Sequence, residues 1–558
     1  MQRIVECVPN FSEGRDRAVI KSITDEIEKV AGVALLDVDP GADTNRTVVT
    51  MVGEPEAVVE AAFRAIRKAA EVIDMRTHSG AHARMGATDV CPFVPVRGLS
   101  MDDCAELARR LGERVGRELD IPVYLYENAA SSEERRNLAT VRAGEYEGLA
   151  EKLKDPHWKP DYGPATFNAQ SGATVIGARE FLIAYNINLN TRDTKKARDI
   201  AFDIREKGRL KRDAKGEILR DADGNGLRQP GTLKACKAVG WYIEEYQMAQ
   251  ISMNLVDREV TPVHKAFDEV VDQAARRGLR VTGSELVGLI PLESMLAAGR
   301  HYLQKQNSTT AVPERELVRI AIQSMGLNEI TPFHPDERII EYQLEKDRPP
   351  QLVDLKLNQF ADELSSDSPA PGGGSVSALG GSLSAALTAM VGVLTYGKKD
   401  YESVTDEVEK LAVKAQGLKA DLLRLIDADT DAFNAVMAAM RLPRKSDEQK
   451  AHRDAALQDA TKESIAIPLK VMEKCLAAIP LAIRMSEIGN QNSLSDAGVA
   501  ILQAFAGLEG AAMNVLINLP GVTDEAYVAD MKARVADLRA QAAKLYEDGT
   551  TAVFKTLS

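Results

Sequence analysis

The spacing of apolar residues changes once along the chain, and that change limits the folds that the chain can adopt. As far as about residue 340, short strand-like runs alternate with amphipathic helical stretches, which is typical of layered α/β folds. Beyond the charged, proline-rich run 345–350, almost every segment is rich in Ala and Leu and has helical spacing. The sequence therefore predicts α/β structure first and, after a linker, an all-α helical bundle.

The order of strands and helices divides the first part further. Its opening segments follow the order β-α-β-β-α-β, which resembles a ferredoxin-like unit, and a strand near 181–190 starts a second α/β layer. A chain of 558 residues also exceeds the size of a single core. We expect two ferredoxin-like α/β subdomains at 1–181 and 182–338, a linker at 339–351 and the helical bundle at 352–558.

Composition argues against several classes of protein. The five cysteines are odd in number, scattered and without a Cys-x-x-Cys pair, so a disulfide framework is not expected. A formal charge of −13 argues against broad nucleic-acid binding, which needs a basic face. The strand-like start at 4–8 lacks the basic and apolar regions of a secretory signal. We therefore expect a cytoplasmic protein.

Two segments imitate other functions. Residues 368–397 carry no charge, as a membrane span would, but they are crowded with Ser, Ala and Gly, which suits a helix packed inside a soluble bundle. No membrane contact is expected. The insert 208–233 contains a run at 221–226 that mimics a calcium loop, yet the twelfth position is Thr232 rather than Glu. A surface hairpin is the better interpretation of this insert.

The first candidate for chemistry is His82. The run 76–95 places two histidines, two arginines and two glycines between an amphipathic helix and an apolar strand. A glycine-flanked loop can present an imidazole to a ligand, and an imidazole can both accept and return a proton. His78 lies four residues before His82, as in a two-histidine metal site on a helix, but Gly80 and the lack of a nearby acidic ligand argue against a metal. Simple hydrogen bonding of both histidines within the loop stays open.

Two further segments of the first half are candidates for ligand contact. Asp39 follows the apolar strand 33–38 and precedes a Pro-Gly pair, so we expect the chain to turn there with the carboxylate at the end of the strand. The aspartate is either a ligand residue or an ordinary turn residue. The polar, glycine-bounded segment 163–174 is either a ligand loop or a plain connection.

In the helical half, Asp429 occupies an apolar stripe. The stripe has helical spacings of 4, 3, 4, 3 and 4 and consists of Leu418, Leu422, Leu425, Asp429, Ala432 and Val436. Burial should raise the pKa of Asp429 and suit it to a proton shuttle, although a capping or hydrogen-bonding role is the alternative. Asp427 and Asp431 fall on the other side of the helix and are expected to be solvated. The glycine run before Ser375 could bring backbone N–H groups to an anion at a helix N-terminus.

Longer motifs resemble two known families. Those of the glutamate formimidoyltransferase family are Val5-Glu-Cys-Val-Pro-Asn-Phe-Ser-Glu-Gly14, Leu35-Leu-Asp-Val-Asp-Pro-Gly41, Thr44-Asn-Arg-Thr47, Arg84-Met-Gly-Ala87, Asp89-Val-Cys-Pro-Phe93 and Gly172-Ala-Thr174. Those of the formimidoyltetrahydrofolate cyclodeaminase family are Ala370-Pro-Gly-Gly-Gly-Ser-Val376, Tyr396-Gly397, Met440-Arg-Leu-Pro443 and Asn514-Val-Leu-Ile-Asn-Leu519. Their order resembles the bifunctional formimidoyltransferase-cyclodeaminase family over essentially the whole chain.

The resemblance implies a folate-dependent bifunctional enzyme of histidine degradation. The first half would transfer the formimidoyl group of N-formimidoyl-L-glutamate to N5 of tetrahydrofolate, with His82 at the family's catalytic histidine. Asp39 would stabilise the amidinium charge, and Arg46 would hold a substrate carboxylate. The family's folate-binding region falls on a loop that includes Gly163, Pro164, Phe167 and Gly172.

The second half would cyclise 5-formimidoyltetrahydrofolate to 5,10-methenyltetrahydrofolate and release ammonia, with Asp429 at the family's catalytic aspartate. Folate would be held by a group that consists of Gly373, Gly374 and Ser375. No metal and no tightly bound cofactor are expected, and tetrahydrofolate, as its polyglutamate, would act as co-substrate. The family resemblance also implies a homo-oligomer. The basic residues Arg441, Arg444 and Lys445 are either a site for the polyglutamate tail or a solvated loop.

Other functions remain compatible with these residues. The first site could use N-formylglutamate as a formyl donor, and the second could hydrolyse methenyltetrahydrofolate, because these reactions involve the same carbon and nitrogen atoms. A folate-binding scaffold with one inactive domain is a third alternative. The presence of both His82 and Asp429 argues against the scaffold.

Overall fold

The computed structural model describes residues 3–42, 44–80, 82–346, 348–368 and 370–558. Within these ranges, strands with covering helices extend as far as residue 287, and the remainder is helical apart from turns and loops. The predicted fold class, α/β structure followed by an all-α bundle, is confirmed.

The first sheet is built from β1 (Ile4–Cys7), β2 (Asn10–Phe11), β3 (Val33–Gly41), β4 (Arg46–Gly53), β5 (Thr88–Arg97), β6 (Val123–Glu127) and β7 (Thr174–Ala178). Its helices are α1 (Arg17–Glu28), α2 (Pro55–Val72), α3 (Met101–Leu119), α4 (Leu138–Val141) and α5 (Glu145–Lys152). The antiparallel neighbours β5, β1, β4 and β3 have the strand order of a ferredoxin-like unit, and β7 and β6 extend the sheet in parallel beyond β5. The ferredoxin-like prediction holds for this part.

The second sheet repeats this order. It consists of β8 (Ile183–Leu189), β11 (Cys236–Ile243), β12 (Met248–Leu255) and β13 (Val281–Val287), arranged as β11-β12-β8-β13, with helices α6 (Thr194–Ile204) and α7 (Val263–Ala275). The insert between α6 and β11 forms the predicted surface hairpin, in which β9 (Arg209–Leu210) pairs with β10 (Arg228–Gln229). The Asp221 carboxylate accepts hydrogen bonds from the backbone of Asp223 and Asn225 and so closes a turn within it.

The helical part contains long antiparallel helices. After β13 the helices are α8 (Leu292–Lys305), α9 (Glu314–Ser324), α10 (Pro335–Arg338), α11 (Ile340–Lys346), α12 (Leu357–Leu364), α13 (Gly373–Thr395), α14 (Thr405–Met440), α15 (Asp447–Ile488), α16 (Leu494–Asn518) and α17 (Glu525–Leu557). The uncharged α13 packs against α14 and α16, as its small residues predict. By length and composition alone α13 and the segment 491–521 could each cross a membrane, but about half of each apolar window is buried inside the bundle.

The chain divides into two compact units. One contains Met1–Ala298 and Ile322–Asp347, and the other contains Gly299–Ala321 and Arg348–Ser558. In the second unit, the Glu409 carboxylate on α14 accepts hydrogen bonds from Thr309 and Thr310, and Ala311 joins the apolar cluster of the neighbouring helices. The predicted subdomain and linker limits stay predictions.

Candidate active sites

The loop between α2 and β5 carries His78 and His82 and lies against the start of β4. A Cβ atom on Gly80 would lie 2.3 Å from the backbone oxygen of Thr44, so the loop approaches this closely only because the residue is glycine. The Asn45 side chain completes the contact, since its amide donates to the Ser79 carbonyl over 2.9 Å and its oxygen accepts from the Gly14 N–H over 3.0 Å. These bonds fix the loop beside Arg46, the first residue of β4.

His78 has a structural role. Arg84 Nε, which can only donate, lies 3.2 Å from His78 Nδ1, so that nitrogen accepts. His78 Nε2 then carries the proton and donates to the Asn45 carbonyl over 2.9 Å. Both ring nitrogens of the neutral ring are therefore used within the loop. Among the described residues, no group of three or more His, Cys, Asp or Glu side chains is placed to hold a metal ion.

His82 faces Arg46. The distance from Arg46 Nη1 to His82 Nε2 is 2.6 Å, and His82 Nδ1 is buried with no hydrogen-bond partner among the residues that the structure describes. Burial, followed by the positive charges of Arg46 and Arg142, lowers the pKa of His82 to about 4. The ring is therefore neutral at physiological pH, as a proton acceptor must be.

Behind His82 lies a buried ion pair. The fully buried carboxylate of Asp89 pairs with Arg142, the C-cap of α4, and accepts a hydrogen bond of 3.0 Å from the Met85 N–H. The pairing of β2 with β5 shifts register at Asp89, so the regular alternation of side chains between the two faces of β5 is interrupted there. The carboxylate can therefore turn away from the apolar core while it stays buried. Asp89 belongs to one of the transferase motifs but was not predicted to have a role, although a charged residue inside an apolar strand was a usable signal. Arg142 was missed entirely.

Asp39 does not lie where its sequence predicts. The turn expected at Pro40 and Gly41 is wrong, because β3 continues through Asp39 to Gly41. Pro40 is tolerated there because β3 is an edge strand that pairs only with β4 within the described sheet, so its missing N–H costs no bond on the outer side. Asp39 pairs with Val48 and Gly41 with Arg46, which places Asp39 and Arg46 diagonally on the same face of the sheet. The carboxylate of Asp89 and, to a smaller extent, the exposed carboxylate of Asp39 favour the charged form of Arg46.

The loop from Gly163 to Gly172 is divided between two places. At its end, Gly172 pairs with Gly86 beside the His82 loop, and the Phe167 ring lies 5.4 Å from the ring of Tyr146, whose N–H donates to the Arg84 carbonyl. At its start, Gly163 packs against Gly116 of α3, and Pro164 follows it there. The structure thus brings the later part of the predicted folate loop to the first site and leaves its beginning at α3.

A cavity of about 500 Å³ opens beside these loops. It is lined by His78, Ser79, Gly80, Arg84, Gly144, Glu145 and Glu147. Arg84 is neutralised within it, since it pairs with Glu145 at 3.2 Å and with Glu147 at 2.6 Å. Arg46, in contrast, forms no ion pair with any described residue. Of these two arginines, Arg46 is therefore the one without a carboxylate partner among the described residues.

The second candidate site lies where α14 crosses the N-terminus of α13. The fully buried Ser375 hydroxyl lies 3.1 Å from Asp429 Oδ2 and 3.1 Å from the Ile426 carbonyl oxygen. A Cβ on Gly374 would lie 2.1 Å from Asp429 Oδ1, so only glycine leaves room for this carboxylate. Burial raises the pKa of Asp429, and the Ser375 hydroxyl and N–H oppose the rise. The predicted direction of this pKa shift is confirmed.

Two neighbours of Asp429 differ from expectation or were missed. Asp427, predicted to be solvated, is buried, and its carboxylate accepts a 2.7 Å hydrogen bond from the Leu352 N–H, so that prediction is wrong. Asp431 is exposed as expected. Asn514 of α16 lies against Gly373, with its Nδ2 3.2 Å from where a Cβ would be. Asn514 belongs to one of the cyclodeaminase motifs, but its place at this site was not predicted.

Comparison with known proteins covers all three parts of the chain. Residues 4–179 match the family described as "Formiminotransferase domain, N-terminal subdomain", residues 184–345 match "Formiminotransferase domain", and residues 356–537 match "Formiminotransferase-cyclodeaminase". The formimidoyltransferase-cyclodeaminase of Rattus norvegicus is 44% identical over 544 residues, which is 97% of each chain. The chain belongs to the formimidoyltransferase-cyclodeaminase family. The resemblance inferred from its motifs is thereby confirmed.

Single-function relatives match the two halves separately. The glutamate formimidoyltransferase of Streptococcus pyogenes is 42% identical over 307 residues, 55% of this chain and 95% of the relative. The methenyltetrahydrofolate cyclohydrolase of Methylorubrum extorquens is 42% identical over 191 residues, 34% of this chain and 92% of the relative. In this member of the formimidoyltransferase-cyclodeaminase family, each half therefore carries one candidate site, with His82 in the first and Asp429 in the second.

Proposed function

We propose that the chain transfers the formimidoyl group of N-formimidoyl-L-glutamate to N5 of tetrahydrofolate and then cyclises the product to 5,10-methenyltetrahydrofolate with release of ammonia. The observation that carries this proposal is the full-length similarity to formimidoyltransferase-cyclodeaminases. The first site also offers a neutral imidazole and the second a carboxylate of raised pKa, which suit two separate proton transfers.

In the first reaction, N5 attacks the amidine carbon and forms a tetrahedral intermediate. His82 accepts the proton from N5 and returns it to the glutamate nitrogen, whose bond to the carbon then breaks. Arg46 holds a carboxylate of the donor, and Asp39, on the same face, stabilises the amidinium charge. Arg142 and Asp89 form an ion pair next to His82 and Arg46, so together they add no net charge to the site. Folate lies along the loop at Phe167 and Gly172.

In the second reaction, N10 attacks the same carbon and closes the ring. Asp429 accepts the N10 proton and delivers it to the departing nitrogen, so that ammonia leaves and the positive charge of the amidinium passes to the methenyl product. Gly373 and Gly374 offer backbone N–H groups at the N-terminus of α13 to the folate. The Ser375 hydroxyl already contacts Asp429, and we assign it to orienting that carboxylate rather than to holding folate.

The remaining proposals concern the setting of the enzyme. We place it in histidine degradation and one-carbon metabolism, with polyglutamylated tetrahydrofolate as co-substrate and no tightly bound cofactor. A reducing cytoplasm suits its five free cysteines, of which Cys7 and Cys91 have sulfur atoms 3.4 Å apart without a disulfide. A homo-oligomer suits the exposed apolar side chains of α13 and α16, such as Leu383, Met513 and Ile517.

A second candidate function for the helical half is hydrolysis of methenyltetrahydrofolate. It is favoured by the 42% identity of this half to the cyclohydrolase of Methylorubrum extorquens. In that reaction Asp429 would take a proton from water as the water attacks the methenyl carbon. The two functions differ in the nitrogen that leaves the carbon, so ammonia release distinguishes them.

The test supplies tetrahydrofolate and N-formimidoyl-L-glutamate and follows ammonia together with the ultraviolet absorbance of methenyltetrahydrofolate. Both signals should rise for the unaltered chain. Asp429→Asn should abolish ammonia release and leave glutamate release intact, whereas the matched Asp431→Asn, on an exposed position, should change neither. Glutamate release without ammonia, combined with hydrolysis of added methenyltetrahydrofolate, would favour the cyclohydrolase. Activity with N-formylglutamate but not with N-formimidoyl-L-glutamate would show that the donor carries a formyl group rather than a formimidoyl group.

A further inference from the structure

In the absence of substrate, Arg46 engages the Nε2 atom of His82, whereas Nδ1 has no hydrogen-bond partner among the described residues. A guanidinium has only donors and stays protonated, so His82 Nε2, 2.6 Å from Arg46 Nη1, must be the accepting nitrogen. A neutral ring carries one proton, which is then on Nδ1. The only lone pair that can accept a proton from substrate is therefore covered by Arg46.

Arg46 is itself poised to leave His82. The guanidinium is half-buried, and within the described part of the chain it has no carboxylate partner at ion-pair distance. Burial lowers the pKa of Arg46, which means that its charge is incompletely compensated where it lies. The residue opposite Arg46 on β3 is Gly41, which has no side chain to hold it in place. A carboxylate ligand would give the guanidinium the paired partner that it lacks.

The reacting molecule supplies such a group at the right place. In N-formimidoyl-L-glutamate a single carbon separates the α-carboxylate from the nitrogen to which His82 must return its proton. An arginine that touches the base is therefore within reach of that carboxylate. A bidentate pair between a guanidinium and a carboxylate is stronger than a single bond from a guanidinium to a neutral imidazole.

We propose that Arg46 masks the base His82 in the free enzyme and that the α-carboxylate of the donor unmasks it by taking over the guanidinium. Nε2 is then open to the N5 proton only when a donor is present. This rests on the proposed function of the first site, and it makes the α-carboxylate a requirement for the chemical step as well as for binding. Donors without that group should lose kcat, even at saturation.

The test reads the protonation of His82 by nuclear magnetic resonance of protein labelled with ¹⁵N in the histidine rings, of which the chain has seven. The charged groups that act on His82 are Arg46 on β4, Arg142 after α4 and Glu145 on α5. Asp89 on β5 and Asp39 on β3 act on Arg46. Saturating L-glutamate, or glutamine with its free α-carboxylate, should raise the pKa of His82 by about one unit or more. Isoglutamine, in which the α-carboxylate is an amide, should not.

Variants separate the mask from general effects. In Arg46→Gln the pKa of His82 should already be raised without ligand and should not respond to glutamate. Arg76→Gln, on the same loop but paired with Asp74, should behave as the unaltered protein. Saturable glutamate binding that leaves the pKa of His82 unchanged would overturn the proposal, as would an equal response to isoglutamine. Loss of the proposed function would appear instead as absent transfer activity with the pKa response intact.

Discussion

The environments of His82 and Asp429 shift their pKa values in opposite directions. Burial disfavours the charged form of each, so the pKa of His82 falls to about 4 while the pKa of Asp429 rises. The rise brings the pKa of Asp429 closer to the working pH, where a proton shuttle both accepts and releases a proton readily. The fall makes His82 a weak base in the free protein, which agrees with a lone pair that is held by Arg46.

The pH dependence of formimidoyl transfer should differ between its two kinetic parameters. The neutral ring of His82 is the active form, so activity is present above its pKa and is lost as the pH falls through it. kcat/KM reports the free enzyme and should therefore fall only near pH 4. kcat reports the substrate complex, and its acidic limb should lie at higher pH if the donor displaces Arg46. Rate profiles between pH 3.5 and 8, corrected for folding, would show this, and coincident limbs would contradict it.

At Gly374, a single methyl group should separate cyclisation from transfer. Gly374→Ala puts a Cβ where it would lie 2.1 Å from Asp429 Oδ1, so either the carboxylate or the start of α13 must move. We expect at least about a hundredfold loss of ammonia release, because a displaced proton-transfer group loses most of its effect. Gly372→Ala is the matched control, since a Cβ there has no described neighbour within 4 Å. Equal activity of the two variants in a cyclisation assay would remove Gly374 from the site.

At the scale of elements, Asp427 ties α14 to the chain segment before α12. Its buried carboxylate accepts a 2.7 Å hydrogen bond from the N–H of the half-buried Leu352. Asp427→Ala should lower the free energy of unfolding by about 1.5–3 kcal/mol, the usual contribution of a hydrogen bond to a charged group. Asp431→Ala, on the exposed side, should change it by less than about 0.5 kcal/mol. Thermal denaturation of both variants gives the comparison, and equal melting temperatures would show that the tie is unimportant.

Asp429 and Asp427 show what helical periodicity can and cannot predict. Spacing along α14 places Asp429 on the packed face, because that inference needs only the geometry of one helix. Asp427 lies on a different face of the helix, and it is buried because residues 352–353 pack over it. The spacing of residues along α14 holds no information about that distant segment. Asp89 is similar, since its side chain leaves the core at a register shift that depends on two partner strands. The alternation of strands and helices predicted both ferredoxin-like sheets. It did not predict that β3 continues through Pro40 to Gly41, because a proline is tolerated there only when the strand lies at the edge of the sheet.

At the scale of the whole molecule, the helical unit includes a segment that is separated from the rest of it in sequence by residues 322–347 of the other unit. Residues 299–321 belong to this unit, and Glu409 binds Thr309 and Thr310 through three hydrogen bonds. The relative from Methylorubrum extorquens aligns with 34% of this chain, so a protein of that length does not span both the segment and the bundle. The bundle should therefore fold without the segment, at lower stability.

Glu409→Gln tests this contribution in two contexts. In the full chain the substitution should lower the free energy of unfolding of the helical unit by about 1–2 kcal/mol, because hydrogen bonds to a charged acceptor are lost. In a fragment of residues 352–558, which lacks both threonines, the same substitution should have no effect. Glu402→Gln, at an exposed position nearby, serves as the control in both. An equal effect of Glu409→Gln in the chain and in the fragment would assign it to the helix itself.

The return of residues 299–321 also changes what a cut in the chain would do. The polypeptide passes from one unit to the other after Ala298, again after Ala321 and a third time after Asp347. A protease that cleaves only in the predicted linker at 339–351 cuts one of these three covalent connections between the units. The two products would stay associated, because the N-terminal product keeps residues 299–321, which pack within the helical unit of the C-terminal product. Nicked protein should therefore migrate as one particle until it is denatured, in the way that a protein cut within a loop stays assembled.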